Sequence, residues 1–212
     1  MEESFELDGV RGTLHRPGNP GGDALILTHG AGSNSQAPLL ALVARGFADA
    51  GCLALRYDLP FRRQRPKGPP IPAQAARDRE GVALAAEAVG RLAPGRVFAG
   101  GHSYGGRQTA MLAAERPGLL AGLLLLSYPL HPPSQPSRLR TDFFPALRTP
   151  ALFVHGTADP FGSLDELRQA MASIPAPTAL LAVEGAGHDL LRGLDLPAIL
   201  ERFRALGWYP GN

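Results

Sequence analysis

Cysteine occurs once in these 212 residues, at position 52. One thiol leaves no internal disulfide framework and no cysteine-built zinc cluster, and its apolar neighbours place Cys52 in the core. Charge of one sign is also missing. Twenty-one basic against 19 acidic residues give a formal net charge of +2, not the dense cationic surface of a dedicated nucleic-acid binder. Lys67 is the only lysine, and arginine supplies the other basic residues. No stretch approaches the ~18 apolar residues of a membrane span. The run 119–126 is too short and ends at Ser127-Tyr128-Pro129. The opening Met1-Glu2-Glu3-Ser4 has neither the basic start nor the apolar stretch of a secretory leader. The expectation is a soluble, cytoplasmic protein with no nucleic-acid or membrane partner.

What is present suits one α/β domain over 1–212. Apolar residues make up 44%, enough for a substantial core, while 26 glycines and 21 prolines favour many tight connections over a helical bundle. Segments 4–7 and 10–15 flank Asp8-Gly9, a strong hairpin signal. Apolar runs at 24–28, 52–57, 96–100, 122–127, 151–155 and 178–183 read as buried strands. Helical patterns at 38–50, 73–92, 108–115, 164–172 and 197–206 alternate with them. The alternation predicts a mostly parallel sheet covered by helices on both faces. Segments 59–72 and 129–145 read as proline-rich loops, and the second is too short to build a cap over a site.

Parallel sheets place their ligand sites beyond the carboxyl ends of the strands, so the residues just after each strand matter most. Gly101-His102-Ser103-Tyr104-Gly105 is a G-x-S-x-G sequence lying between a strand and a helix, as a nucleophile elbow requires. A serine hydroxyl needs a base, and His188 follows the last strand in Gly185-Ala186-Gly187-His188-Asp189. The base needs an acid to fix its tautomer, and Asp159 follows the penultimate strand. Asp189 adjoins the base and points elsewhere, while Asp165 suits the first turn of a helix. The order Ser103, Asp159, His188 is that of α/β-hydrolases. The amides of Tyr104 and of Ala31, in His29-Gly30-Ala31-Gly32, are the candidate oxyanion donors. No metal or organic cofactor is implied, and the expected partner is a small acyl substrate.

These residues resemble the α/β-hydrolase superfamily across essentially the whole chain. More narrowly, the sequence is similar to small bacterial hydrolases related to dienelactone hydrolase, a group with hydrolase-like relatives among testis-expressed proteins and a chromatin-complex subunit. The shared stretches include His29-Gly30-Ala31-Gly32, Arg56-Tyr57-Asp58-Leu59-Pro60-Phe61, Gly105-Gly106-Arg107 and Tyr128-Pro129-Leu130-His131-Pro132-Pro133. Leu139-Arg140-Thr141 and Gly156-Thr157-Ala158-Asp159-Pro160-Phe161-Gly162 extend the likeness. His102 and Tyr104 replace the lysine and methionine common at the group's elbow. The resemblance implies the fold and the triad without naming a substrate.

Three arginines are candidate substrate contacts. Arg62 opens a basic run with Arg63, Arg65 and Lys67 that could draw an anionic substrate, or simply be a solvated loop. Arg107 could meet substrate or make a structural ion pair near the elbow. Arg140 lies in the second proline-rich segment with Arg138 and Asp142. His29 is expected to brace its own loop and His155 to end a strand under the acid loop. The expected activity is hydrolysis of carboxylic ester-type acyl bonds through an acyl-enzyme. Thioester hydrolysis and a non-catalytic interaction module on the same fold are the alternatives. Dinucleotide binding at Gly30-Ala31-Gly32 is disfavoured, because the run lacks the third glycine.

Overall fold

The computed structural model describes residues 1–207; the expected domain over 1–212 therefore includes five residues outside those described. Strands β1 (Glu2–Leu7) and β2 (Val10–His15) form the expected hairpin around Asp8-Gly9, and both turn residues have positive φ. Six further strands follow: β3 (Ala24–Thr28), β4 (Leu53–Tyr57), β5 (Val97–His102), β6 (Leu123–Leu126), β7 (Ala151–Gly156) and β8 (Thr178–Val183). The eight strands form one sheet in the order β1-β2-β4-β3-β5-β6-β7-β8. β2 meets β4 antiparallel, and every pairing from β4 to β8 is parallel.

The two-residue period of the strands sorts their side chains between two core layers. Ile26, Leu55, Ala99, Leu125 and Phe153 face α3 (Ala75–Gly90), α4 (Tyr104–Glu115) and α5 (Leu164–Met171). Leu25, Leu27, Ala54, Leu124 and Val154 face α1 (Pro38–Asp49) and α6 (Leu196–Ala205). Each fully buried Leu, Val or Phe contributes about 1.5–3 kcal/mol, so these layers hold the sheet rigid beneath its carboxyl-end loops. None of the helices among the described residues is long and apolar enough to cross a membrane.

Two departures from the sequence reading bear on the site. The segment 59–72 contains a helical turn, α2 (Pro60–Gln64), and a 3₁₀ turn at Pro72–Gln74. Pro60 is preorganised for a first helical position, and burial of Phe61 and Arg62 anchors the turn. The second departure is at the elbow. β5 runs on to His102 and α4 begins at Tyr104, so one residue, Ser103, makes the whole turn. Gly101, expected in the turn, is like Gly100 a strand residue pressed against neighbouring backbone. A Cβ on Gly100 would lie 2.0 Å from the Leu124 carbonyl oxygen, and one on Gly101 would lie 2.4 Å from that of Thr28.

Candidate active site

Ser103 sits at φ 52° and ψ −117°, a conformation that costs a non-glycine residue about 1–3 kcal/mol. The surroundings enforce it. The Ser103 amide donates to the Leu126 carbonyl, and its own carbonyl accepts from the Arg107 amide. Gly105 allows α4 to start against β3, since a Cβ there would lie 2.5 Å from the His29 carbonyl oxygen. The serine side chain is thereby held out over the strand ends.

The loops after β7 and β8 are zipped together. Thr157 and Ala158 donate their amides to the Val183 and Ala186 carbonyls, and the Gly185 amide donates to Thr157 Oγ1. Gly156 permits this approach, because a Cβ there would meet the Ala186 carbonyl oxygen at 2.3 Å. The zipped loops set Asp159 Oδ2 2.8 Å from His188 Nδ1, and His188 Nε2 2.8 Å from Ser103 Oγ. The partners fix the tautomer: Nδ1–H donates to the carboxylate and Nε2 accepts from the serine hydroxyl. Asp159 Oδ1 accepts from the Phe161 amide at 2.9 Å. Burial pushes the Asp159 carboxyl up, but the His188 hydrogen bond and charge, the Phe161 N–H and His155 outweigh it and hold the pKa below 3.8.

Aromatic neighbours hold the imidazole in place. The Phe161 ring lies 4.2 Å from that of His188, and the His102 ring 5.0 Å away. His102 Nε2 also lies 2.7 Å from the His188 carbonyl oxygen, so this elbow position ties the β5 end to the His188 loop. Burial, followed by the His188 charge, lowers the His102 pKa from 6.5 against the pull of that carbonyl, which favours a neutral ring donating Nε2–H.

Ala31 and Tyr104 line the same pocket as Ser103. The Tyr104 amide is the first of its helix and has no intrahelical acceptor, which leaves it available to an oxyanion. Two residues that carried no sequence signal for this role hold these donors. Buried Asp78, on α3, accepts from the Tyr104 hydroxyl at 2.7 Å and from the Phe61 amide at 3.0 Å. Arg62 is the other, and it corrects the exposed basic rim. Its guanidinium is buried and donates to the carbonyls of Ala31, Ser33, Arg65 and Gly68 at 2.7–3.1 Å. With its donors committed to backbone, Arg62 braces the Ala31 loop and is not among the residues lining the pocket in front of Ser103. Arg63, Arg65 and Lys67 are exposed.

His29 braces the same loop. It is fully buried, donating Nδ1–H to the Gly30 carbonyl at 2.9 Å and accepting from the Leu59 amide at 3.2 Å. Asp58 Oδ1 accepts from the Ser35 amide at 2.7 Å, so this carboxylate anchors a loop. His155 lies under the acid loop, with Nε2 2.8 Å from the Gly162 carbonyl oxygen.

The pocket in front of Ser103 has a volume of about 530 Å³ and lies open to solvent, with no cap domain over it among the described residues. Tyr104, Arg107, Gln108 and Met111, at helical spacing on α4, form one wall. Arg140 and Phe161 also line it, and Pro69, Pro70 and Pro72 add stiff apolar surface. Arg107 makes none of the ion pairs found among the described residues, and its guanidinium interacts with the Tyr128 hydroxyl. Nor do the described residues contain a group of three or more His, Cys, Asp or Glu that could hold a metal ion.

A family model for an alpha/beta hydrolase domain matches residues 22–194. The curated protein "Putative esterase NocK" of Nocardia uniformis subsp. tsuyamanensis is 38% identical over 86 residues, a match covering 41% of this chain and 23% of that protein. The chain therefore spans about a quarter of the length of that relative. Dienelactone hydrolase from Anabaena variabilis superposes with a TM-score of 0.72 at 20% identity, over 98% of this chain and 96% of that one. Est1E from Butyrivibrio proteoclasticus gives 0.74 at 16% identity, over 97% and 98%. TT1662 from Thermus thermophilus gives 0.76 at 23% identity, over 99% of both chains. At these identities the solved structures speak to the fold.

Proposed function

Because the chain belongs to the alpha/beta hydrolase family, we propose that it is a serine hydrolase cleaving carboxylic ester-type acyl bonds of a small substrate. The observation that carries this reading is the unbroken hydrogen-bonded line from Ser103 through His188 to Asp159, with both links at 2.8 Å. Such a line has one chemical use that a merely structural network does not need: it lets a neutral hydroxyl attack a carbonyl.

In the first step Ser103 Oγ attacks the acyl carbon while His188 Nε2 takes the hydroxyl proton. Asp159 retains its negative charge, holds Nδ1–H and stabilises the imidazolium. The carbonyl oxygen gains a full charge, received by the amides of Ala31 and Tyr104. Collapse of the tetrahedral intermediate expels the alkoxide, which leaves with the proton from His188. A water then attacks the acyl-serine, giving its proton to His188, and a second collapse releases the acid as His188 returns that proton to Ser103 Oγ. The uncapped pocket favours short or flexible acyl groups.

Phosphonylation by a fluorophosphonate tests this reading. The expected result is one covalent adduct on Ser103, absent in Ser103→Ala and slowed by orders of magnitude in His188→Ala. The matching kinetic test is a panel of short acyl esters and thioesters, with turnover lost in Ser103→Ala. A wild-type protein that neither forms the adduct nor turns over any member would leave the non-catalytic module as the better account.

A further inference from the structure

The pocket beside Ser103 contains only hydrogen-bond donors among its charged side chains. Among the described residues Arg107 and Arg140 are its two charged lining residues, and neither an aspartate nor a glutamate lines it. Arg107 lies one helical turn beyond Ser103, about 6 Å along the axis at ~1.5 Å per residue. Its Nε is buried and has no hydrogen-bond partner. Gln108 is fully buried; its Oε1 accepts from Arg79 at 3.3 Å, while its Nε2 has no partner.

Arg140 is held in position by its backbone. Its carbonyl accepts from the Tyr128 hydroxyl at 2.5 Å, and its amide donates to the Leu130 carbonyl at 2.8 Å. Among the described residues its guanidinium makes one hydrogen-bond contact, a long 3.4 Å approach to the Pro129 carbonyl. Burial first, and the like charge of Arg107 second, draw its pKa below the usual arginine range, so the protein itself makes this cation less comfortable than it would be in water. Leaving cations half-buried without a counter-ion is costly, and a ligand anion removes that cost. Arg62, on α2 after β4, has by contrast four backbone carbonyls as partners.

We propose that Arg107, Arg140 and Gln108 form a subsite for a carboxylate carried by the acyl substrate, a short chain's length from the scissile carbonyl. This rests on the hydrolase reading of Ser103 and specifies its substrate class as half-esters or half-thioesters of small dicarboxylic acids, or acyl esters with an acidic leaving group. One carboxylate offers two oxygens with about four acceptor sites, enough to engage both guanidiniums and the amide together.

The test compares two fluorophosphonates that differ only at the end of a short aliphatic chain. One ends in a carboxylate and the other in the isosteric carboxamide, and several chain lengths are used. Ser103 displaces fluoride from phosphorus in either case, its proton passing to His188, and the rate is read by intact mass. At low salt the carboxylate probe should react about 10-fold or more faster, the factor expected of a charge-assisted hydrogen bond. Added salt should shrink that ratio. The ratio should fall towards one in Arg107→Met and in Arg140→Met, and recover in part in Arg107→Lys. Because it is taken within one protein preparation, loss of folded material cancels. Equal rates at every chain length in the wild type, or a ratio that survives the double replacement, would overturn the subsite while leaving the hydrolase reading intact. Failure of both probes to modify Ser103 would instead remove the hydrolase reading, and the subsite with it.

Discussion

Arg62 and Arg107 occupy the same lip of the sheet and meet opposite surroundings. Arg62 gives its guanidinium to four backbone carbonyls and closes the Ala31 loop. Arg107 has a buried Nε without a partner and borders the pocket. The same contrast separates the line behind Ser103 from the wall in front of it. Both Asp159 oxygens and both His188 ring nitrogens have partners, whereas the wall leaves donors unpaired. Buried polar groups are ordinarily satisfied, so the paired region is finished by the fold, and the unpaired donors of the wall are the ones the proposed subsite would use.

The comparison can be broken or sharpened by substitution. The largest effect should come from Asp159→Asn, which keeps the shape of the line and removes the charge that fixes the tautomer. A fall of about 10⁴-fold in kcat on a short acyl ester is expected, with the fold retained by circular dichroism. A loss below tenfold would mean that the finished region is scaffolding only. Next is Arg62→Ala. Stranding buried carbonyl oxygens should cost about 2–3 kcal/mol in denaturant unfolding and slow the labelling of Ser103 by charged and neutral probes alike. A selective loss of the charged probe would put Arg62 with Arg107 and erase the contrast.

Gly105→Ala probes the elbow itself. The added Cβ, 2.5 Å from the His29 carbonyl oxygen and 2.8 Å from Thr28 Cγ2, should cost about 1–3 kcal/mol and slow labelling of Ser103. Unchanged stability and rate would show that the start of α4 can shift freely. The smallest effect concerns His102. Its pKa is lowered in the folded state, chiefly by burial, so its contribution to stability is present above pH 6.5 and lost as pH falls below it. His15 and His29 are lowered for the same first cause. The melting temperature should therefore drop as pH is taken down from 7, and His102→Gln should flatten part of that slope. An identical slope in the variant would mean that His102 keeps its ordinary pKa in the fold.

Much of this molecule follows from local sequence. Apolar runs of strand length, helical periodicity and Asp8-Gly9 are enough to order the elements, and the strand ends single out Ser103, Asp159 and His188 as chemically apt positions. Hydrophobic patterning and turn chemistry act over a few residues, so a single chain displays them directly. Partnership between distant polar groups is another matter. Whether Arg62 braces a loop, whether Arg107 finds a carboxylate, and whether Asp78 reaches the Tyr104 hydroxyl depend on which loops the sheet brings together. Those pairings are settled by burial and by the need to satisfy every polar atom the core encloses. Composition and spacing alone give no distance between residues 62 and 31, or between 78 and 104; the packed sheet does.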